Sequence, residues 1–518
     1  MIRIRALLAA CIMAAAALTG CGSEGSSEAE DASSREADTA AATTAEPAKT
    51  TKAKTVIPPQ EAGSAMFKAA GEYNNPLMTN NFCADPTAIE YNGRLYVYGT
   101  NDEQQYQKKG DEENTYEKIK SIVILSTDDM ANWRYEGLID TGKIAKWITA
   151  SWAPSIVSRT EDDGKTHFYL YFSNSGGGVG VLTATDPAGP WEDPLKKPLI
   201  YAGMKGLGHC PIPFDPGVVI DDKGVGWLTF GGGEGGSDQH PKVSRIVRLG
   251  KDMISLDSDI VEIDAPYFFE ASELNFIGGK YVYTFNTSWK QRSEWDYDNA
   301  NPPPTCSMCY MTSTDPLDPK SWEYRNYYFL NPGDYGMEWG NNHTHLQKFQ
   351  GKYYLFYHAQ ILYKARGLKH AFRSLCVNEM TVDEENAVIE QGLGTRKGVV
   401  QIKALDPYTE HQAEEVYLTD CTFTEEDGRI FVKGGEGNVI GVRKADFGSG
   451  SSKAALRLRG SGKVELFAGS PEGEAAAVFE CGSAELTEVT ADAVLSGESD
   501  IYFVTHGDIE LDSWIFSK

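Results

Sequence analysis

Between about residue 74 and residue 400 the chain repeats one pattern five times: an apolar strand, a turn containing glycine, and a strand rich in aromatics. The copies are Asp85-Pro86-Thr87-Ala88-Ile89 with Gly93 and Tyr96-Val97-Tyr98; Trp152-Ala153-Pro154-Ser155-Ile156-Val157 with Gly164 and Phe168-Tyr169-Leu170; and Asp215-Pro216-Gly217-Val218-Val219 with Gly224 and Trp227-Leu228. The last two are Glu270-Ala271-Ser272 with Gly278 and Tyr281-Val282-Tyr283, and His343-Thr344-His345-Leu346 with Gly351 and Tyr353-Tyr354-Leu355. Short apolar runs on either side of a glycine turn read as β-hairpins. A second marker, Ser-Thr-Asp or Ala-Thr-Asp leading to a tryptophan, closes three of the units at Trp133, Trp191 and Trp322. One such unit cannot bury its apolar face alone, and radial repetition of four-stranded sheets is the all-β solution. The pattern predicts a five-bladed β-propeller.

In a propeller the first strand of each blade lines the central channel, so the residues that open those strands converge although they are far apart in sequence. Asp85, Asp215, Glu270 and His343 each take that opening place, eight or nine residues before a turn glycine. Three carboxylates and a histidine at one mouth are costly to hold together unless they act, because like charges raise one another's pKa. Two carboxyls facing each other across a pocket are the equipment for hydrolysing a glycosidic bond: one protonates the leaving oxygen, the other activates water or attacks. In Tyr267-Phe268-Phe269-Glu270 the acid follows an aromatic run, a setting that withdraws solvent and favours the protonated form.

The segments Ala84-Asp85-Pro86, Phe214-Asp215-Pro216-Gly217-Val218-Val219 and Phe268-Phe269-Glu270-Ala271-Ser272 resemble the three signature blocks of glycoside hydrolase family 43. The resemblance implies Asp85 as general base, Asp215 as the aspartate that orients the acid and raises its pKa, and Glu270 as general acid of an inverting mechanism. Inversion needs room for a water, so Asp85 and Glu270 are expected to stand about 6.5–9.5 Å apart. The resemblance also makes Trp152 a wall of the sugar site, sets His343 beneath the sugar and lets Arg373 reach the substrate. Where many members carry an acid after Trp-Ala-Pro, this chain has Ser155. The implied activity is release of pentoses from hemicellulose, with an α-L-arabinofuranosidase on arabinoxylan side chains first. β-Xylosidase or arabinanase action on the same fold, or a tethered propeller that binds sugar without catalysis, are the alternatives. A β-fructosidase type of propeller would carry Asn-Asp-Pro-Asn and Arg-Asp-Pro motifs, which are absent.

A net charge of −26 argues against nucleic acid as partner, since phosphate binding needs basic patches, and a neutral plant cell-wall polysaccharide fits better. No organic cofactor is expected. Nine scattered cysteines make no disulfide framework, and Cys306-Ser307-Met308-Cys309 lacks the second pair a zinc site needs. At the N-terminus, Arg3 and Arg5 precede an apolar run from Ala6 to Leu18, too short to span a membrane and the right size for a signal-peptide core. The run ends in Leu18-Thr19-Gly20-Cys21, similar to a bacterial lipobox. Residues 1–20 therefore read as a lipoprotein signal peptide, Cys21 as the lipidated residue, and 21–62 as a disordered tether poor in large apolar residues. The expected location is the extracellular face of a bacterial cell membrane, held by the lipid.

The propeller is assigned to 63–403. From 404 to 518 short alternating strands read as a β-sandwich. Gln412-Ala413-Glu414-Glu415, Asp446-Phe447-Gly448 and Asp512-Ser513-Trp514 resemble carbohydrate-binding module family 6, a jelly roll. That resemblance implies Gln412, Glu414 and Asp512 as side-chain ligands of a structural calcium ion. Where the module places a stacking Trp after a Gly-Gly turn, this chain runs Gly482-Ser483-Ala484-Glu485, so weak or absent sugar binding is expected at that loop.

Overall fold

Each recurrence folds into an antiparallel sheet whose strands follow one another by short hairpins. The computed structural model describes residues 63–233, 235–298 and 300–518; the signal peptide, Cys21 and the tether to residue 62 lie outside the described residues. Blade 1 consists of β1 (Ala84–Tyr91), β2 (Arg94–Thr100), β3 (Ile122–Thr127) and β4 (Trp133–Ile139). Blade 2 is built from β5 (Trp152–Thr160), β6 (Thr166–Ser173), β7 (Gly178–Ala184) and β8 (Ile200–Tyr201), and blade 3 from β9 (Gly217–Ile220), β10 (Gly226–Gly231), β11 (Ser244–Arg248) and β12 (Val261–Ile263). Blade 4 has β13 (Phe268–Ile277), β14 (Lys280–Thr287), β15 (Met308–Ser313) and β16 (Glu323–Phe329); blade 5 has β17 (Thr344–Phe349), β18 (Lys352–Ala359) and β19 (Ser374–Met380). The inner strands contact one another in the cyclic order β1, β5, β9, β13, β17 and back to β1, which closes the five-bladed ring.

The faces of neighbouring blades supply the cores. Tyr98, Ile124, Phe168 and Leu182 fill the space between blades 1 and 2, and Tyr171, Val218, Leu228 and Val247 that between blades 2 and 3. Blade 5 has three strands rather than four. Its outer position is taken by the segment before β1: Leu77 N–H donates to Leu375 O, Cys83 N–H to Arg373 O, and Val377 N–H to Asn75 Oδ1. The chain thus seals its ring by laying its beginning along its end.

After a small hairpin, β20 (Val382–Asp383) with β21 (Val388–Ile389), come β22 (His411–Gln412) and β23 (Glu415–Val416), and β23 pairs with β4 as a fifth strand of blade 1. The remaining strands are β24 (Leu418–Thr419), β25 (Thr422–Glu426), β26 (Arg429–Gly434), β27 (Asn438–Asp446), β28 (Lys453–Ala468), β29 (Ala477–Asp492) and β30 (Glu498–Ser517). In place of two separately bonded sheets, these strands and β22 form one eight-stranded sheet. β30 is long enough to pair β28 along one edge and β27, β26 and β22 in turn along the other. Residues 482–485 lie inside β29, so the expected sugar loop is a strand. The core of this domain runs on without a break into the seam between blades 5 and 1, where Val97, Leu125, Trp133, Phe356 and Val377 join Val416, Ile440, Leu456 and Phe503. Arg94 anchors the joint with a 2.9 Å bond to Glu415. Buried Lys68, from the helix Gly63–Gly71, donates to both Leu77 O and Tyr417 O.

Candidate active site

Four of the blades begin with a left-handed residue, and in three of them the strand ladder also skips. Asp85, Ala153, Asp215 and Ala271 have φ of 48°, 39°, 49° and 59°, left-handed values that cost a non-glycine residue energy and recur where function demands them. The ladder of β1 with β2 skips between Ala84 and Thr87, that of β5 with β6 between Trp152 and Ser155, and that of β13 with β14 between Glu270 and Glu273. Pro86 and Pro154 sit in the gaps, where a missing N–H costs no ladder bond. Such bulges re-aim side chains. They also correct the expected register. Asp85, Asp215 and His343 are equivalent, but the residue of blade 4 at that place is Ala271, and Glu270 stands one residue earlier, matched with Ala84, Trp152 and Phe214. The equivalent turn glycine of blade 4 is accordingly Gly279.

The second strands carry the support. In register, they end at Thr100, Ser173, Gly231, Asn286 and His358. Each of three reaches the opening backbone N–H of the next blade: Ala153 N–H donates to Thr100 Oγ1 (2.8 Å), Asp215 N–H to Ser173 Oγ (2.8 Å), and Asp85 N–H to His358 Nδ1 (3.1 Å). Blade 3 has only Gly231 at this place, and the N–H it would have received, that of Ala271, donates instead to Asp215 Oδ2 at 2.9 Å. The carboxylate of Asp215 therefore holds the backbone immediately beside Glu270. A side chain on Gly231 would bring its Cβ to 2.4 Å from Val243 O, at a φ of 143°.

The carboxyls differ sharply in environment. Asp85 and Asp215 are buried, whereas Glu270 keeps partial exposure at the mouth. Burial alone would raise the pKa of Asp85, but the charge of Arg373, whose Nη1 lies 2.9 Å from Oδ1, holds it well below the usual carboxylate range. Thr100 donates to its other oxygen at 2.7 Å. His358 stands 3.3 Å from Oδ1, yet its Nδ1 receives the Asp85 N–H and so bears no proton; Nε2–H donates to Asn341 O at 2.8 Å. The positive charge beside Asp85 is therefore that of Arg373. Glu270 is pushed well above its ordinary value by burial first, then by the charges of Asp215 and Asp85. Asp215 is raised as well, by burial and by Asp85. Of these two, Asp215 accepts from Ala271 N–H and from Ser173, contacts that favour the ionised form, so the shared proton resides on Glu270. Phe268 is turned into the core between blades 3 and 4 against Tyr283 and Phe285.

Arg373 is clamped by Asp102, which accepts from Nε at 2.9 Å and from Nη2 at 2.7 Å. Its guanidinium lies 4.5 Å over the ring of Tyr116, and Trp152 donates to Tyr116 O at 3.0 Å, packing edge-on against the same ring. Trp152, Tyr116 and Arg373 make one wall. His343 lies 3.7 Å from Asp85; burial pushes its pKa down to about 4, and its Nε2 has no partner among the described residues. A layer deeper, Ser155 donates to Glu273 and accepts from Val218 N–H, joining blades 2, 3 and 4. Asp102, Tyr116 and His358 escaped the sequence reading. Asp102 opens the short helix Asp102–Lys109 and Tyr116 lies in the loop after it, both between β2 and β3, and His358 ends a strand that reads as apolar.

The implied calcium ligands fare differently. Gln412, Glu414 and Asp512 are neighbours, with Ala413 N–H donating to Asp512 O. The carboxylate of Asp512, however, faces Arg429 at 3.4 Å and Arg457 at 3.8 Å, and Glu414 faces Arg134 at 3.4 Å. Glu414 Oε2 has no hydrogen-bond partner among the described residues. Three guanidinium groups around two carboxylates do not fit a divalent cation, which needs several free oxygens. The seven described cysteines are free and buried, Cys306 and Cys309 among them.

A depressed carboxylate and a raised one at the mouth of a closed five-bladed propeller, with an aromatic wall and a buried arginine, define the active centre of a glycoside hydrolase. Residues 73–388 match the family model for glycosyl hydrolases family 43, and the chain belongs to that family. It is 34% identical to an arabinoxylan arabinofuranohydrolase of Bacillus subtilis (strain 168), over 86% of this chain and 92% of that protein. The identity to an arabinoxylan arabinofuranohydrolase of Paenibacillus polymyxa is 33%, over 86% of this chain and 74% of that one. A crystal structure of a family 43 arabinoxylan arabinofuranohydrolase from Bacillus subtilis with cellotetraose superposes with a TM-score of 0.79 at 31% identity, covering 89% of this chain and all of the other.

Proposed function

We propose that this enzyme removes α-L-arabinofuranosyl side chains from arabinoxylan with inversion. Asp85 acts as general base on the attacking water, Glu270 as general acid on the leaving oxygen, and Asp215 orients Glu270 and keeps it protonated. The observation that carries this reading is the opposed pair: Arg373 holds Asp85 ionised while burial, Asp215 and Asp85 keep the proton on Glu270. An acid and a base prepared in this way at one pH are what single displacement requires. The exposed tryptophans Trp289 and Trp339, with ring centroids 6.4 Å apart on the same face of the propeller, support a substrate that extends beyond one sugar. The two relatives named as arabinoxylan arabinofuranohydrolases, each similar over most of both chains, support arabinose as the released sugar.

The test is the rate on p-nitrophenyl α-L-arabinofuranoside against p-nitrophenyl β-D-xyloside, followed by NMR of the first product anomer from arabinoxylan. A preference for the arabinofuranoside with an inverted first anomer is expected. A xyloside preference would make this a β-xylosidase, and a retained anomer would exclude Asp85 as base toward water. Export and lipidation at Cys21 complete the proposal, on the sequence of the first 21 residues. Metabolic labelling with a tagged fatty acid should mark the chain, and Cys21→Ala should abolish the mark.

A further inference from the structure

On the outer side of blades 1 and 2 lies a cavity of about 770 Å³ lined by Ile144, Lys146, Trp147, Trp191, Asp193 and Lys196, among others. None of these residues takes part in the active centre. Trp147 is held in place from two directions. Its indole stacks on Phe172 at 6.2 Å and 28°, and its Nε1–H donates to Asp193 Oδ2 at 2.8 Å. Asp193 is fixed in turn, because its other oxygen accepts from the N–H groups of Leu195 and Lys196. Beneath the ring runs β7, where a Cβ on Gly180 would fall 3.0 Å from the indole. Trp191, on the same wall, is nine-tenths buried and its Nε1 has no acceptor among the described residues. The rim is polar and exposed, with Lys146, Glu192 and Lys196.

A flat ring held by stacking and by one hydrogen bond, with charged groups at the edge of the cavity, suits a sugar ring, whose C–H face stacks on the indole while its hydroxyls meet the polar rim. We infer that the Trp147 cavity is a second glycan-binding site, and that its occupant is the β-1,4-linked xylose backbone of the polysaccharide whose side chains the active site attacks. The choice of occupant rests on the proposed function. Two observations favour the backbone over a free sugar. Trp147 lies five residues before Trp152, the wall of the active site, so the cavity and the active centre are joined by one short segment. The stretch 482–485 of the C-terminal domain, where a stacking loop was expected, is instead part of β29, which leaves a grip on the polymer to be supplied elsewhere.

The experiment uses the full chain with Trp147→Ala and Trp147→Phe, and reads retention on insoluble arabinoxylan, titration with xylohexaose, and hydrolysis of p-nitrophenyl α-L-arabinofuranoside. Expected are at least about fivefold weaker retention and a raised KM on the polymer for the alanine variant, a smaller loss for phenylalanine, and an unchanged rate on the aryl substrate, which fills only the active site. Should Trp147→Ala fail to fold, Lys146→Cys carrying a bulky maleimide blocks the cavity from its exposed rim, and labelling should lower retention relative to the unsubstituted chain treated alike. Undiminished retention in a folded Trp147→Ala, or after that label, overturns the inference. Absence of aryl arabinofuranoside hydrolysis in the unsubstituted chain would instead strike at the proposed activity, and the retention assay would still report on this site.

Discussion

Replacing Arg373 by Gln removes the charge that keeps Asp85 ionised and leaves most of the local shape. At about 4 Å between charge centres, two unit charges interact by about 4 kcal/mol at an effective dielectric near 20. With 1.36 kcal/mol per pKa unit, loss of the arginine should raise Asp85 by up to about three units. The direction is unambiguous. Asp85 must be ionised to accept a proton from water, so a higher pKa removes the working form as pH falls, and the acid limb of kcat/KM moves upward. The unsubstituted enzyme should hold its activity down to the pH at which it denatures. In Arg373→Gln the acid limb should move up by as much as about three pH units and become visible at the acid end of the range in which the protein stays folded. The pair also contributes stability above the unfolded-state pKa of about 3.9, which is lost as pH falls through the depressed folded value. Removing one partner leaves Asp85 and Asp102 buried and uncompensated, at a cost of roughly 3–5 kcal/mol. The double variant Asp102→Asn with Arg373→Gln should recover part of that stability and keep the displaced limb. The assay is arabinose release from arabinoxylan between pH 3 and 8, with circular dichroism at each pH. A uniform fall in kcat/KM with no change in the acid limb would refute the reasoning and leave Arg373 a substrate ligand only.

Four further outcomes are expected. Glu270→Gln should lose about 10²–10⁴-fold in kcat on arabinoxylan yet retain activity on a dinitrophenyl arabinofuranoside, whose leaving group needs no proton; equal losses on both would contradict the acid role. Asp215→Asn removes a charge that lifts Glu270, so the alkaline limb of the pH profile should shift toward acid, read from the same rate series. Dialysis against EDTA should leave the melting temperature unchanged, given the arginines around Asp512 and Glu414; a fall restored by calcium would count against that account. Truncation after residue 403 uncovers Trp133 and Tyr135, which pack on the C-terminal domain. Two such side chains are worth about 3–6 kcal/mol, close to the whole stability of a domain, so soluble yield should collapse.

The ring and the three carboxylates were legible because propeller repeats write their geometry into the sequence at intervals, whereas Arg373 came from the family resemblance alone. The one-residue offset of Glu270 was not legible. Gly278-Gly279 offers two glycines for one turn, and only the bulge at Ala271 decides between them. His358 and Gly231 became meaningful once the ends of the second strands were aligned in register, since a glycine in one blade explains a carboxylate bond in the next. Asp102 opens a helix that is polar all round and Tyr116 follows it in a loop, so neither is marked by an apolar period. The surroundings of the implied calcium ligands were hidden for a different reason: the arginines that face Asp512 and Glu414 come from distant strands and from another domain.

The seam between blades 5 and 1 bears on how such enzymes can be recombined. A carbohydrate module joined by a flexible linker is a cassette, exchangeable without consequence for the catalyst. Here β23 is a strand of the catalytic ring and the apolar interior of the C-terminal domain is also the lining of the joint where the ring closes. Exchange at the boundary near residue 404 would therefore hand the propeller an ill-fitting lining, and a working chimera has to carry over the facing surface of blade 1, with Arg94, Arg134 and Tyr135, along with the module itself.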